Sequence, residues 1–97
     1  MAANATVEIR NRRGLHARAA AKFVKVVASY RADVRVKKLG QGGEPDSQVV
    51  TGGSILGLMM FGADPGSRLA IAAEGEQAEA VVAALVALVE DKFGEEE

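Results

Sequence analysis

The stretch from residue 5 to residue 38, ATVEIRNRRGLHARAAAKFVKVVASYRADVRVKK, decides the fold. Its first six residues alternate in polarity, with Val7 and Ile9 on one face, and DVRVKK at its end alternates in the same way. Both segments are therefore predicted to be half-buried strands. Between them, RRG indicates a turn, and the residues from Ala17 to about Tyr30 are strong helix formers. The stretch predicts a strand, a helix and a second strand.

The remaining sequence adds four more elements around a loop. LGQGGEPDS is rich in loop-forming residues and is followed by a short strand, QVVT. A short apolar helix is predicted to begin after Ser54 and to end near Gly62, RLAIAA is predicted to be a strand, and an amphipathic helix runs from about Gln77 to Phe93. The order β-α-β-β-α-β-α predicts an α+β fold: a four-stranded, mostly antiparallel sheet covered on one face by three helices.

Length and composition limit the class of protein. A chain of 97 residues, 48% hydrophobic and 26% charged, is predicted to be one globular domain, 1–97, with an acidic, mobile tail at about 95–97. No apolar run reaches the roughly 18 residues of a membrane-spanning helix, and MAANATVEIR does not resemble a signal peptide. The absence of cysteine excludes disulfides and thiolate metal sites. We expect a cytoplasmic protein without membrane insertion.

The small net charge conceals an uneven distribution. Residues 1–38 carry ten Lys or Arg and two Asp or Glu, a net charge of +8, whereas residues 39–97 carry two and eleven, a net charge of −9. A basic region indicates an anionic partner such as a phosphate, a nucleic acid or an acidic protein surface. Ordinary solvated helix and strand faces would give the same pattern, so charge alone leaves both alternatives open.

The single histidine, His16, lies at the predicted start of a helix, directly after a glycine turn. The N–H groups exposed at a helix N-terminus favour a bound anion, and Arg18 is near enough in sequence to donate to phosphate oxygens. The same positive field favours a neutral imidazole, whose lone pair can attack phosphorus. The location suits a phosphohistidine, although a lone histidine is often simply a surface or packed residue.

Other chemistries have little support in the sequence. One histidine and no cysteine make a zinc site improbable on ligand count, and we expect neither a metal nor a cofactor. GxxxxGK[ST] is missing, so a phosphate would have to come from another protein. GxSxG is missing as well, although a Ser-His-Asp triad is not excluded by count. The basic half holds only Phe23 and Tyr30 as aromatic residues, too few for a nucleic-acid stacking platform, so no nucleic-acid partner is expected.

The second informative stretch is TGGSILGLMMFG. It has more apolar residues than one face of a short helix can bury, so some of them are expected to form an exposed patch that docks other proteins. A fully buried turn is the alternative. Ser54 is most simply a helix cap, and a phosphate on it would place charge beside the apolar patch.

Three segments together resemble the HPr family, the histidine-containing phosphocarriers of the bacterial phosphotransferase system. GLHARAAAKFV is similar to the family's phosphorylation motif, GGSILGLMMFG to its regulatory serine motif, and IAAEGEQAEAVVAALVALV to its last strand and helix. The resemblance covers about residues 4–93. The GLHAR and GLMM forms are more similar to the proteobacterial, nitrogen-related branch than to dedicated sugar-transport carriers.

This resemblance implies an open-faced β-sandwich with sheet order 1-4-2-3 and a role for named residues. His16 would take a phosphoryl group on Nδ1 from enzyme I and pass it to enzyme IIA domains, with Arg18 as the active-site arginine. Ser54 would be phosphorylated by HPr kinase/phosphorylase. The resemblance implies a partner-docking surface formed by Ala17, Ala21, Ile55, Leu56, Met59 and Met60. We expect a monomeric carrier without catalytic activity of its own.

Three departures from the family pattern accompany this resemblance. Ala19 stands where a proline is frequent, Arg13 stands where an asparagine is frequent, and the loop over residues 39–48 is longer than usual. A second hypothesis is a regulatory binding module that docks partners through the Ser54 helix with little phosphotransfer. Acid-labile labelling by enzyme I and phosphoenolpyruvate would separate the two.

Overall fold

The computed structural model describes residues 1–95 and contains seven regular elements followed by one helical turn. The elements are β1 (Ala2–Glu8), α1 (Ala17–Ala28), β2 (Asp33–Lys38), β3 (Val50–Thr51), α2 (Ile55–Met59), β4 (Arg68–Glu74) and α3 (Ala78–Glu90). A 3₁₀ turn, Lys92–Gly94, follows α3. The predicted order β-α-β-β-α-β-α is confirmed.

The four strands form one antiparallel sheet in the order β1-β4-β2-β3. β4 lies in the centre and pairs on one side with β1, where Val7 faces Leu69, and on the other side with β2, where Val36 faces Ile71. The edge strand β3 pairs only with β2. The predicted order 1-4-2-3 is therefore confirmed.

One face of the sheet carries the core because strand side chains alternate between faces. On β1, β2 and β4 the buried positions fall on every second residue, and the helices supply the opposing apolar side chains. The largest fully buried apolar side chains are Phe23, Phe93, Ile9, Leu58, Leu69, Ile71 and Leu85. Within residues 1–95, no helix is long and apolar enough to cross a membrane.

The first and third strands differ in extent from their predicted bounds. β1 begins at Ala2 and ends at Glu8, and Ile9 continues past it by donating its N–H to the carbonyl of Ser67 at 2.8 Å. β3 holds only Val50 and Thr51. Before it, Ser47 donates its N–H to the Lys38 carbonyl, but the Lys38 N–H donates to the Ser47 hydroxyl and not to a backbone carbonyl, so the regular ladder does not extend to this residue.

The long loop between β2 and β3 is held by its own polar groups. The Asp46 carboxylate accepts the N–H of Gly40 at 2.8 Å and lies 3.1 Å from the Lys37 ammonium. These two interactions hold the pKa of Asp46 below its ordinary value, with the Gly40 hydrogen bond contributing most. The loop is therefore a structured extension of the sheet edge.

The C-terminal helix is shorter than predicted. α3 ends at Glu90, and Lys92 and Phe93 both adopt a φ of 57° in the left-handed region, so the chain leaves the helical path before Phe93. Phe93 is nevertheless fully buried, and its carbonyl accepts a hydrogen bond from the Lys22 ammonium of α1. This anchor brings Glu95 back towards the start of α1.

Candidate functional site

His16 lies in the connection between β1 and α1, which turns at Gly14. Gly14 has a φ of 67°, and a Cβ placed on it would lie 2.3 Å from the Ala63 carbonyl oxygen, so only glycine fits there. The adjoining Leu15 donates its N–H to that same carbonyl at 3.0 Å. The connection that carries His16 is thus fixed to the segment that follows α2.

His16 is the N-cap residue of α1. Its backbone is extended, with φ −78° and ψ 178°, and its carbonyl accepts the N–H of Ala20 at 2.8 Å. Its side chain makes no capping hydrogen bond, so the imidazole is not used to satisfy the helix end. The predicted location at the N-terminus of a helix is confirmed.

The imidazole contacts a carboxylate that the sequence did not predict there. His16 Nε2 forms a hydrogen bond with Glu95 Oε2, and both side chains are 19% exposed. The expectation of an acidic, mobile tail was wrong for Glu95, because the anchor at Phe93 returns this residue to the site. Glu96 and Glu97, the rest of that predicted tail, lie outside the described residues.

A second unpredicted residue, Asn11, supports this carboxylate. Asn11 is fully buried, and its amide nitrogen donates to the Gly14 carbonyl at 2.8 Å and to Glu95 Oε1 at 3.0 Å. If the Asn11 amide were reversed, its oxygen would face two acceptors, the Gly14 carbonyl and Glu95 Oε1. These two partners therefore fix the orientation of the amide. A polar residue five positions before the histidine, shortly after β1, was the only signal in the sequence.

The environment lowers the pKa of the Glu95 carboxyl. Partial burial opposes ionisation and is the largest single influence, but hydrogen bonds from Asn11 and His16, together with the charges of His16 and Arg13, outweigh it. Glu95 is accordingly an ionised acceptor at neutral pH. The site thus contains a negative group as well as the positive groups expected from the sequence.

Arg18 lies in the first turn of α1 with its side chain exposed to solvent. Within residues 1–95 its guanidinium makes no hydrogen bond and no ion pair, so the structure leaves its donors open for an anion. Ala17 and Ala21 lie on the same helix and are also exposed.

Ser54 is the N-cap of α2, as predicted. Its hydroxyl accepts the N–H of Gly57 at 2.9 Å, which satisfies a donor that the short helix would leave unpaired. α2 ends at Met59, and Gly62 follows with a φ of 60°.

The apolar residues of this segment divide between the core and the surface. Leu58 is fully buried and anchors α2. The exposed side chains are Ile55, Leu56, Met59 and Met60, with exposures of 41%, 70%, 40% and 77%. Because α2 packs against α1, this exposed set adjoins the helix that carries Ala17 and Ala21. The predicted outward exposure of part of the segment is confirmed. We call Ala17, Ala21, Ile55, Leu56, Met59 and Met60 the docking face, after the partner contacts predicted for them.

The described residues contain no cluster of three or more His, Cys, Asp or Glu side chains arranged to hold a metal ion. His16 and Glu95 form a pair with a buried amide behind it, and the ring nitrogen Nδ1 is not part of that pair.

A family model described as the PTS HPr component phosphorylation site matches residues 3–91. The chain belongs to the HPr family. Its resemblance to this family, drawn from the motifs at His16 and Ser54, is thereby confirmed.

Relatives and solved structures of the HPr family match over nearly the whole chain. The phosphocarrier protein HPr of Pseudomonas aeruginosa is 45% identical over 91 residues, which is 94% of each chain. The phosphocarrier protein NPr of Escherichia coli K12 is 31% identical over 96 residues, 99% of this chain and all of that protein. The crystal structure of HPr from Thermoanaerobacter tengcongensis superposes with a TM-score of 0.84 at 39% identity, covering 98% of this chain and 99% of that one. These relatives are consistent with the proteobacterial, NPr-like branch.

Proposed function

We propose that this HPr-family chain is a phosphocarrier of the phosphotransferase system, in which His16 accepts a phosphoryl group from enzyme I and passes it to an enzyme IIA domain. The observation that carries the proposal is the match to the phosphorylation-site family over residues 3–91, in a chain whose only imidazole lies at the N-terminus of α1. It is a carrier and not an enzyme, as its relatives named phosphocarrier proteins are.

The geometry of the site supports transfer to Nδ1. Nε2 is hydrogen-bonded to Glu95, so Nδ1 is the ring nitrogen whose lone pair is available for attack. The N-terminus of the twelve-residue helix α1 and the open donors of Arg18 favour the negative charge that arrives with the phosphoryl group. In this proposal Arg18 stabilises that charge while the group is moving.

The docking face supports the assignment of partner contacts. Large apolar side chains exposed next to the His16 helix are the surface that enzyme I and enzyme IIA would cover while phosphate moves between active sites. Methionines at two of these positions adapt to differently shaped partners. Ser54, at the start of this helix, is proposed as the regulatory site that HPr kinase/phosphorylase modifies.

We further propose that residues 1–97 act as a single monomeric domain in the cytoplasm, where enzyme I and its phosphoenolpyruvate supply are expected. The alternative of a binding module with little phosphotransfer is not favoured, because the matched family model is defined by a phosphorylation site.

Incubation with enzyme I and labelled phosphoenolpyruvate tests the proposal. We expect wild type to acquire acid-labile label, His16→Ala to acquire none, and Ser54→Ala to be labelled as wild type is. Because phosphoserine is acid-stable, the lability test separates the two sites. His16 is not among the fully buried residues, so His16→Ala should keep its circular dichroism spectrum; acid-labile label on that folded variant would refute the assignment.

A further inference from the structure

The contact between Glu95 and His16 has no assigned role in the carrier mechanism. We propose that Glu95 is a positioning residue for His16, which holds the proton on Nε2, orients the ring so that Nδ1 faces the incoming phosphoryl group, and balances the charge that the ring gains. The inference rests on the proposed function and deepens it.

The first step is the assignment of the ring proton. A neutral imidazole has one nitrogen that donates and one that accepts, whereas an ionised carboxylate can only accept. Because Glu95 faces Nε2, that nitrogen must carry the hydrogen, and Nδ1 must carry the lone pair. The carboxylate thereby selects the tautomer that the reaction needs and restricts rotation of the ring.

The second step is the rigidity of the carboxylate itself. Each Glu95 oxygen has a different partner: Oε2 pairs with His16, and Oε1 accepts from Asn11. Asn11 is fully buried and also bound to the Gly14 carbonyl, so its amide cannot turn away. Phe93, buried two residues before Glu95, fixes the backbone that presents the carboxylate. Both the carboxylate and the backbone of Glu95 are thus held in place.

The third step is the charge balance of the transfer. The Nδ1 lone pair attacks the phosphorus of a phosphohistidine on the donor protein, an N–P bond forms, and the donor's P–N bond breaks with its electron pair returning to the donor nitrogen. No proton moves, so Nε2 keeps its hydrogen and the His16 ring changes from neutral to cationic. Glu95 faces that new charge, and onward transfer reverses the change. A carboxylate that orients a histidine and balances its imidazolium is a known device in catalysis.

A spectroscopic experiment tests the positioning role without any phosphotransfer. The chain has one histidine, so ¹⁵N-histidine labelling gives one ring in the NMR spectrum. At a pH where the ring is neutral, we expect wild type and Glu95→Gln to show an Nε2–H proton protected from exchange with water, since the Gln amide oxygen also accepts. Glu95→Ala should lose that protection, and Glu90→Ala, which removes an exposed carboxylate at the end of α3, should retain it.

Rapid-quench measurement of phosphoryl acceptance from phosphorylated enzyme I tests the charge role. We expect Glu95→Gln and Glu95→Ala to be slower by about tenfold, the lower end of the loss seen when a carboxylate supporting a functional imidazole is removed from metal sites. Glu90→Ala should react at the wild-type rate.

Three results would overturn the inference: an Nε2–H equally protected in Glu95→Ala, wild-type rates in both Glu95 variants, or faster acceptance in Glu95→Ala, which would make Glu95 a cover over the site. If wild type accepts no phosphate at all, the proposed function fails, while the ring signature still reports on Glu95. The two failures are therefore distinguishable.

Discussion

Replacing Ser54 in two ways separates its role as a helix cap from the regulatory role proposed for it. The Ser54 hydroxyl accepts the Gly57 N–H at 2.9 Å and is the side-chain cap of a five-residue helix. Ser54→Ala removes that acceptor, which costs about 1 kcal/mol of the free energy of unfolding and lowers Tm by roughly 4–8 °C for a domain of this size. Ser54→Asp keeps an acceptor at the same position, so its Tm should stay within about 3 °C of wild type.

The affinity for enzyme I should show the reverse pattern, because Ser54→Asp should weaken binding and Ser54→Ala should not. In Ser54→Asp a carboxylate lies beside Ile55, Leu56 and Met59, which are 41%, 70% and 40% exposed in the free protein and are expected to be covered in the complex. Desolvating an unpaired charge there costs about 2 kcal/mol, roughly a 30-fold rise in Kd. Ser54→Ala adds no charge and should bind within about twofold of wild type.

Thermal unfolding and calorimetric titration against enzyme I measure the two effects on the same samples. The expected pattern is a destabilised Ala variant that binds normally and a stable Asp variant that binds weakly. Equal affinities for all three folded proteins would refute the reasoning, because Ser54 would then be a helix cap alone or the docking face would lie elsewhere.

Three further changes test other parts of the structure. Arg18→Ala should lower the rate of transfer by an amount equivalent to about 2–4 kcal/mol while leaving KM nearly unchanged; steady-state kinetics showing only a raised KM would contradict a charge-stabilising role. Phe93→Ala should cost about 3–5 kcal/mol in denaturant unfolding, because the side chain is fully buried; a loss below about 1 kcal/mol would mean that it is not a core residue. The folded pKa of Glu95 lies below its ordinary 4.5, so its ionisation stabilises the fold fully above about pH 4.5, and this contribution is lost as pH falls through the folded pKa. The Tm difference between wild type and Glu95→Gln should accordingly disappear in acid, and a difference independent of pH would contradict an ionised Glu95 carboxylate.

The elements of the fold were predictable because their signals are local. Alternation of polar and apolar residues marks β2 at the observed bounds, Asp33–Lys38, and Ser54 marks the start of α2. The sheet order came from the resemblance, since neither periodicity nor composition determines which strands are neighbours. Local signals placed the histidine at its helix end correctly.

The part of the site that was missed depends on contacts distant in sequence. Propensity extends α3 to Phe93, whereas burial of Phe93 and its carbonyl bond to Lys22 end the helix early. That early end determines where Glu95 lies, and a run of three glutamates after a glycine has the composition of a solvated tail. Buried Asn11 was missed for the same reason, because its partners are a backbone carbonyl and a residue 84 positions away.

The long separation between the members of this site bears on the timing of synthesis. His16 and Glu95 are 79 positions apart, so the histidine leaves the ribosome before its carboxylate partner has been translated. Contacts of such long separation form late in folding, because the intervening chain must first be ordered. A nascent chain therefore exposes its histidine before the ring is oriented. On the proposed role of Glu95, we expect a chain that has not yet formed this contact to accept phosphate more slowly than the folded carrier.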